Sequence, residues 1–232
     1  MPAIVRRSKR FKKAEEKAQK FLAPQTVDTA IDAVKSFDAP KFDQSVELIF
    51  SLGIDPKQAD QTIRSSISLP HGIGKAKRVV AFCGENLIPA ATAAGAIRAG
   101  GQDLVQEIEK TGFSDFDVAI ATPDMMRFVG RLGKVLGPKG LMPSPKAGTV
   151  TADIATAVKE FKAGKVEYRS DKDGNLHVVV GKISFAPDKL KQNIEACVRT
   201  VRSVRPSSVK GHFIESITVS ATMSPGLRVN VL

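Results

Sequence analysis

Apolar positions recur at helical spacing over residues 26–37, where Val27, Ala30, Ile31 and Val34 share one face and Thr26 stands as the capping residue. Mostly alternating apolar residues follow in SVELIFSL at 45–52, which predicts a strand, and alternation recurs at 63–69. A short helical turn is expected between them, over 55–61. At PHGIGK (70–75) the pattern breaks into a glycine-bearing linker or hinge. Beyond it the periodicity changes character. Residues 79–83 and 117–121 are short continuous apolar runs, the mark of strands buried on both faces. Helices are predicted at 90–99, 102–110, 125–136 and 151–163, the last stopped by Gly164.

After Gly164 alternation returns. Strands are expected at 166–169 and 176–180 around an Asp-Gly turn (171–174), which reads as a hairpin. A long amphipathic helix covers 187–204, with Leu190, Ile194, Cys197, Val198 and Val201 on one face. Strands at 213–219 and 227–231 close the chain. The fold class is therefore mixed, α/β and α+β. A discontinuous α+β domain I is formed by residues 1–74 and 165–232, and a Rossmann-like α/β domain II (75–164) is inserted between two hinge crossings.

Charge adds a partner class. The 232 residues carry 35 Lys+Arg against 24 Asp+Glu, a net +11. A balance this basic favours a polyanion, because cations that neutralise phosphates release condensed counterions. Residues 1–20 hold eight Lys/Arg and two Glu, so this basic tail is either a solvated, partly helical segment or an arm that orders on RNA. No Trp and a single Tyr argue against a sugar groove and against an RNA sheet built on stacked rings.

Cys83, Cys197 and three histidines show no metal-ligand spacing, so no metal and no cofactor are expected, and reduced thiols point to a cytoplasmic protein. No apolar run reaches the ~20 residues of a membrane helix, so no membrane partner is expected. A nucleotide-dependent enzyme on the α/β block is the rival reading. Its first strand–helix turn, CGENLIP at 83–89, has one glycine and a carboxylate where a phosphate would sit, and GIGKAK at 72–77 lacks the third glycine. Neither a P-loop nor a GxSxG elbow is present. Asp115/Asp117 and Asp171/Asp173 fit turn chemistry better than acid–base work. The sequence reads as a non-enzyme.

Three stretches could hold nucleic acid. GKVLGPKGLMPSPKAG (133–148) concentrates glycine, proline and lysine, and Lys139 and Lys146 are its candidate secondary RNA contacts. TMSPG (222–226) offers hydroxyl and main-chain groups beside Met223. Lys41 precedes Phe42, a ring that composition alone would place in the core.

The series KFDQSVE (41–47), LGIDPK (52–57), LPHGIGK (69–75), ATPD (121–124), LGPKGLMP (136–143), PKAGT (145–149), YRSDK (168–172) and TMSPG (222–226) resembles, in order and in register, the "L one" family of large-subunit ribosomal proteins. The resemblance runs from about residue 25 to the C-terminus. It implies a two-domain RNA-binding protein that holds the rRNA of the mobile side stalk beside the tRNA exit site and assists release of deacylated tRNA. It further implies a translational repressor that binds its own operon's mRNA, and a monomer off the ribosome. Carried over motif by motif, it places RNA contacts at Lys41, Phe42, Ser45, Ser216, Thr222, Met223 and Ser224. Lys165, Glu167 and Arg169 are weaker candidates for the same face. Ser224 stands where the family commonly has glycine.

Overall fold

The computed structural model describes residues 7–58 and 60–230. Arg6 of the basic tail, Ala59 of the expected turn at 55–61 and Val231 of the last expected strand lie outside them. Along the chain come α1 (Lys9–Ala18), α2 (Val27–Lys35), β1 (Ser45–Leu52), β2 (Arg64–Ile67), β3 (Val79–Phe82), α3 (Ile88–Ala94), β4 (Arg98–Gly100), α4 (Gln102–Thr111) and β5 (Val118–Ala121). Then follow α5 (Met126–Val129), α6 (Gly133–Leu136), α7 (Ile154–Ala163), β6 (Val166–Arg169), β7 (Asn175–Lys182), α8 (Pro187–Ser203), β8 (Ile214–Ala221) and β9 (Leu227–Val229).

Two compact units result. One holds the chain up to Ile63, Leu69–Gly74 and everything from Tyr168 onward; the other holds Arg64–Ser68 and Lys75–Glu167. The sequence-based borders at 75 and 164 differ from this partition by two short stretches, 64–68 and 165–167. Their strands, β2 and β6, pair with each other in a separate two-stranded sheet.

In the first unit a four-stranded sheet has the order β7-β1-β8-β9, antiparallel throughout. Alternation along β1 and β8 buries Val46, Leu48, Phe50, Ile217, Val219 and Ala221 on one face, against α2 and α8. Alternate positions Ser45, Glu47, Ile49, Ser51, Ser216, Thr218 and Ser220 stay partly open on the other face, which is rich in hydroxyls. The glycine linker is anchored within this unit by fully buried Asn193 on α8. Its Nδ2 donates to the carbonyls of Gly72 (3.0 Å) and Val180 (2.7 Å), and its Oδ1 accepts from the His71 amide (3.1 Å).

The second unit carries a parallel sheet of order β4-β3-β5, extended by a parallel bridge between Ala121 and Val150. One helical layer packs Val80, Phe82, Ala119 and Ala121 against Leu104, Ile108, Leu132 and Leu136. The other packs Val79, Ala81 and Ile120 against Ile154, Val158 and Phe161. This two-sided burial explains the continuous apolar runs read from sequence.

Three expected elements change. The helix expected at 90–99 ends at Ala94, because Gly95 takes φ +101° and caps it, and residues 98–100 become β4. The helix expected at 125–136 is broken into α5, a 3-10 turn (Gly130–Leu132) and α6. The Asp-Gly turn forms, with the Asp171 amide donating to the Asn175 carbonyl at 2.8 Å. Its flanks meet only in one antiparallel bridge, Ser170 with Leu176; beyond it β6 pairs with β2 and β7 with β1.

Candidate nucleic-acid interface

Strand register brings two segments of the first unit together from opposite ends of the chain. Val46 of β1 faces Ala221 of β8, so the residues just before β1 and just after β8 meet at the sheet edge formed by the ends of these two central strands. Thr222 closes the junction. Its amide donates to the Ser45 carbonyl (3.0 Å), its Oγ1 accepts from the Ser45 amide (3.2 Å), and the hydroxyl also lies 3.3 Å from the Ser45 carbonyl. Ser45 is held from its side chain as well, accepting from Lys182 Nζ at 2.9 Å. Asp43 fixes the approach to β1 by accepting from the Ser184 amide and hydroxyl (3.3 and 2.8 Å).

Two large apolar side chains project from this junction into solvent. Phe42 is 52% exposed and Met223 62%. The composition-based expectation of a core Phe42 therefore does not hold: the ring precedes the first sheet position and has no layer above it. Met223 alone among the described non-glycine residues has positive φ, at +65°. That conformation costs an L-residue about 1–2 kcal/mol, so the neighbouring bonds must impose it. Ser224 keeps ordinary φ and donates from Oγ to Gln44 Oε1 (3.3 Å), so a glycine is not required there. A close approach does require one at Gly226, where a Cβ would come within 2.7 Å of Thr218 Cγ2.

Lys41, Phe42, Ser45, Thr222, Met223 and Ser224 thus form one cluster. Lys41 is exposed and adds a cation that has no carboxylate within ion-pair distance among the described residues. Ser216 lies six residues back along β8, opposite Ser51, roughly 20 Å from Thr222 at ~3.3 Å per residue. It joins the cluster through the open hydroxyl-bearing face rather than at the edge. His177 of β7 and Arg228 of β9 sit in register with Ile49 and Thr218 and extend that face.

The three weaker candidates lie on or just before β6, outside the four-stranded sheet. Lys165 and Glu167 cluster with the second unit, and β6 belongs to the two-stranded sheet. Lys165 Nζ binds Glu160 Oε2 (2.8 Å) above the Phe161 ring, and Glu167 Oε1 takes both Nε and NH2 of Arg64 (2.8 and 2.7 Å). Their charges serve internal pairs. Arg169 is exposed, beside a shallow depression lined by Pro56, Thr62 and Lys172. In the second unit Lys146 is exposed on a 3-10 turn (Pro145–Ala147), while Lys139 bonds Ser114 Oγ.

Sequence reasoning missed four supports of the cluster: Gln44, Asp43, Lys182 and Arg10. Arg10, on α1, donates to the carbonyls of Asp38 (2.8 Å) and Met223 (3.1 Å). The helical expectation for the tail was available from its pattern, but its docking partner lies more than 200 residues away.

The parallel sheet offers the rival site a cleft of about 1020 Å³ at its C-terminal edge, between Gly84, Gly101 and Met125. Glu85, Asp103 and Glu107 line it, and Arg98 is paired with Glu107. That charge opposes a polyphosphate. Both thiols are fully buried, and burial pushes the Cys197 thiol up to about 12, which removes it from nucleophilic chemistry at neutral pH. Among the described residues no helix is long and apolar enough to cross a membrane, and no His/Cys/Asp/Glu group could hold a metal ion.

Comparison with known proteins agrees with the motif series. The model of the ribosomal protein L1p/L10e family matches residues 34–225. A large ribosomal subunit protein uL1 of Fervidobacterium nodosum is 53% identical over 206 residues, covering 89% of this chain and 88% of that one. The proteins of the same name in Kosmotoga olearia and Thermosipho melanesiensis are each 49% identical. The former aligns over 97% of this chain and 96% of its own length, the latter over 99% and 97%. The family match includes both segments of the sheet-edge cluster, and on this ground the chain belongs to the ribosomal protein L1p/L10e family.

Proposed function

We propose that the chain is a structural constituent of the large ribosomal subunit that grips large-subunit rRNA at the mobile side stalk near the tRNA exit site, and helps deacylated tRNA leave. The observation that carries the RNA site is the Ser45–Thr222 junction, which fixes a cation (Lys41), a ring (Phe42) and a thioether (Met223) in one exposed cluster. Exposed apolar groups beside hydroxyls and open main chain suit an unstacked base or a ribose edge, and the hydroxyl-bearing sheet face suits 2′-OH contacts. Scattered lysines and arginines supply attraction without sequence choice.

Recognition by shape would let the same surface take a similarly folded segment of its own operon's mRNA and so repress translation. The protein acts as a monomer when off the ribosome, in the cytoplasm, with rRNA, that mRNA and exit-site tRNA as its partners. Lys139 and Lys146 of the second unit are the residues to examine for the tRNA contact.

A titration of the chain with a transcript of the stalk rRNA, repeated at several salt concentrations, tests this. Saturable binding in the nanomolar range that weakens with salt is expected, and the operon leader transcript should compete for it. Binding of a mononucleotide with no RNA preference would overturn the reading.

A further inference from the structure

The basic segment at the start of the chain is a built part of the first unit. Ser8 caps α1 by accepting from the Phe11 amide at 3.2 Å, and Ala14 is buried to 2% exposure. One face of the helix is bound down at both ends. Arg10 forks onto the carbonyls of Asp38 and Met223, and Lys17 Nζ donates to the Ser36 carbonyl (3.2 Å) and lies 3.6 Å from Asp38 Oδ1. The neighbouring stripe, at spacings of three and four, is Lys9, Lys12, Lys13 and Glu16, all exposed. The three lysines have no carboxylate within ion-pair distance among the described residues, whereas Arg7 is taken by Glu15.

We propose that this outward face of α1 is a phosphate-binding surface that continues the RNA site. Lys9, Lys12 and Lys13 would neutralise backbone phosphates next to the nucleotides read at 222–224, and Arg10 is the positioning residue that keeps helix and loop in register. The inference rests on the reading of the sheet-edge cluster as the RNA site. Lys9, Lys12 and Lys13 sit within one turn of Arg10, whose guanidinium holds the carbonyl of the one described non-glycine residue with positive φ. Its planar fork reaches two carbonyls through two separate nitrogens, a fixed geometry that a lysine's single ammonium does not supply. Part of the net +11 is thereby placed beside the neutral groups that select the RNA.

The test compares four forms of the full chain on the stalk-rRNA transcript and on a scrambled transcript, from low to moderate salt. In K9A/K12A/K13A the slope of log affinity against log salt should fall by about 2–3, at ~0.7–0.9 per phosphate contact, with preference for the true transcript retained. A control removing the same charge elsewhere, K57A/K110A/K189A, should change the slope by less than about 1. Arg10→Lys keeps the charge and should keep the slope, yet narrow the preference between transcripts several-fold. A K9A/K12A/K13A slope equal to the control's overturns the inference and leaves the reading of the cluster standing. Unchanged preference in Arg10→Lys removes Arg10's positioning role. A wild-type chain with no preference for the true transcript overturns the reading itself and this inference with it.

Discussion

Replacing Thr222 with alanine removes one hydroxyl from the point where the two halves of the proposed RNA site are tied together. The Ser45 amide loses its acceptor at 3.2 Å, and the 222–224 turn is left with the Thr222 amide bond to β1, the Ser224–Gln44 bond and the Arg10 contact to hold it. The turn is exposed, so water can replace part of the lost bond and the stability cost should be modest, about 0.5–1.5 kcal/mol. Binding should suffer more. Met223 is held at φ +65°, against a preference of about 1–2 kcal/mol, and a loosened turn relaxes away from the geometry that presents it. Adding a lost hydroxyl contact to the RNA, the expected weakening is about 1–3 kcal/mol, roughly 5- to 150-fold in affinity. The assay is titration of a labelled stalk-rRNA transcript, with Thr222→Ser as the partner variant. Serine keeps the hydroxyl and should bind within about threefold of wild type. Unchanged affinity in Thr222→Ala, or equal losses in both variants, would refute the reasoning.

Met223→Gly relieves the positive φ while loosening the unfolded chain, so its stability should stay within about 0.5–1 kcal/mol of wild type, yet RNA affinity should drop. Equal affinity in a filter-binding titration would show that the thioether touches no RNA. Asn193→Ala empties a fully buried side-chain position, leaving the buried Gly72 and Val180 carbonyls and the part-buried His71 amide without this partner, and should cost about 2–4 kcal/mol in urea denaturation. A loss below about 1 kcal/mol would deny that Asn193 anchors the linker. Asp117 is held below the usual carboxylate range by the Arg78 amide (2.9 Å), by that residue's guanidinium and by Lys75. A depressed native pKa stabilises fully above the unfolded value of about 4 and is lost as pH falls through the native one. Thermal unfolding followed from pH 5 downward should therefore show a steeper acid loss in wild type than in Asp117→Asn; parallel curves would contradict this.

What the sequence conveyed follows from how local each feature is. Period-2 alternation along β1 and β8 gives the buried face without any partner being known, and the Thr26 cap marks the start of α2. The continuous runs of β3 and β5 give the two-sided parallel sheet. Pairing is not local. The Asp-Gly turn predicts a hairpin, but which strands its flanks join depends on β1 and β2, more than 100 residues upstream. The same limit separates the site residues. Phe42 and Met223 enter through the motif resemblance, while Asp43, Gln44, Lys182 and Arg10 act only through bonds to distant segments. Lys165 and Glu167 show the same limit: charge near a motif suggests a binding face, while their carboxylate and cation partners become visible only in three dimensions.

The account turns on one surface, and hydrogen exchange of the full chain with and without the stalk-rRNA transcript tests it most directly. Bound RNA should slow exchange at 41–46 and 221–225, with a lesser effect along the open face of β8. Protection confined to 133–148, or to the cleft around Gly84 and Gly101, with the sheet edge exchanging as in the free protein, would contradict it.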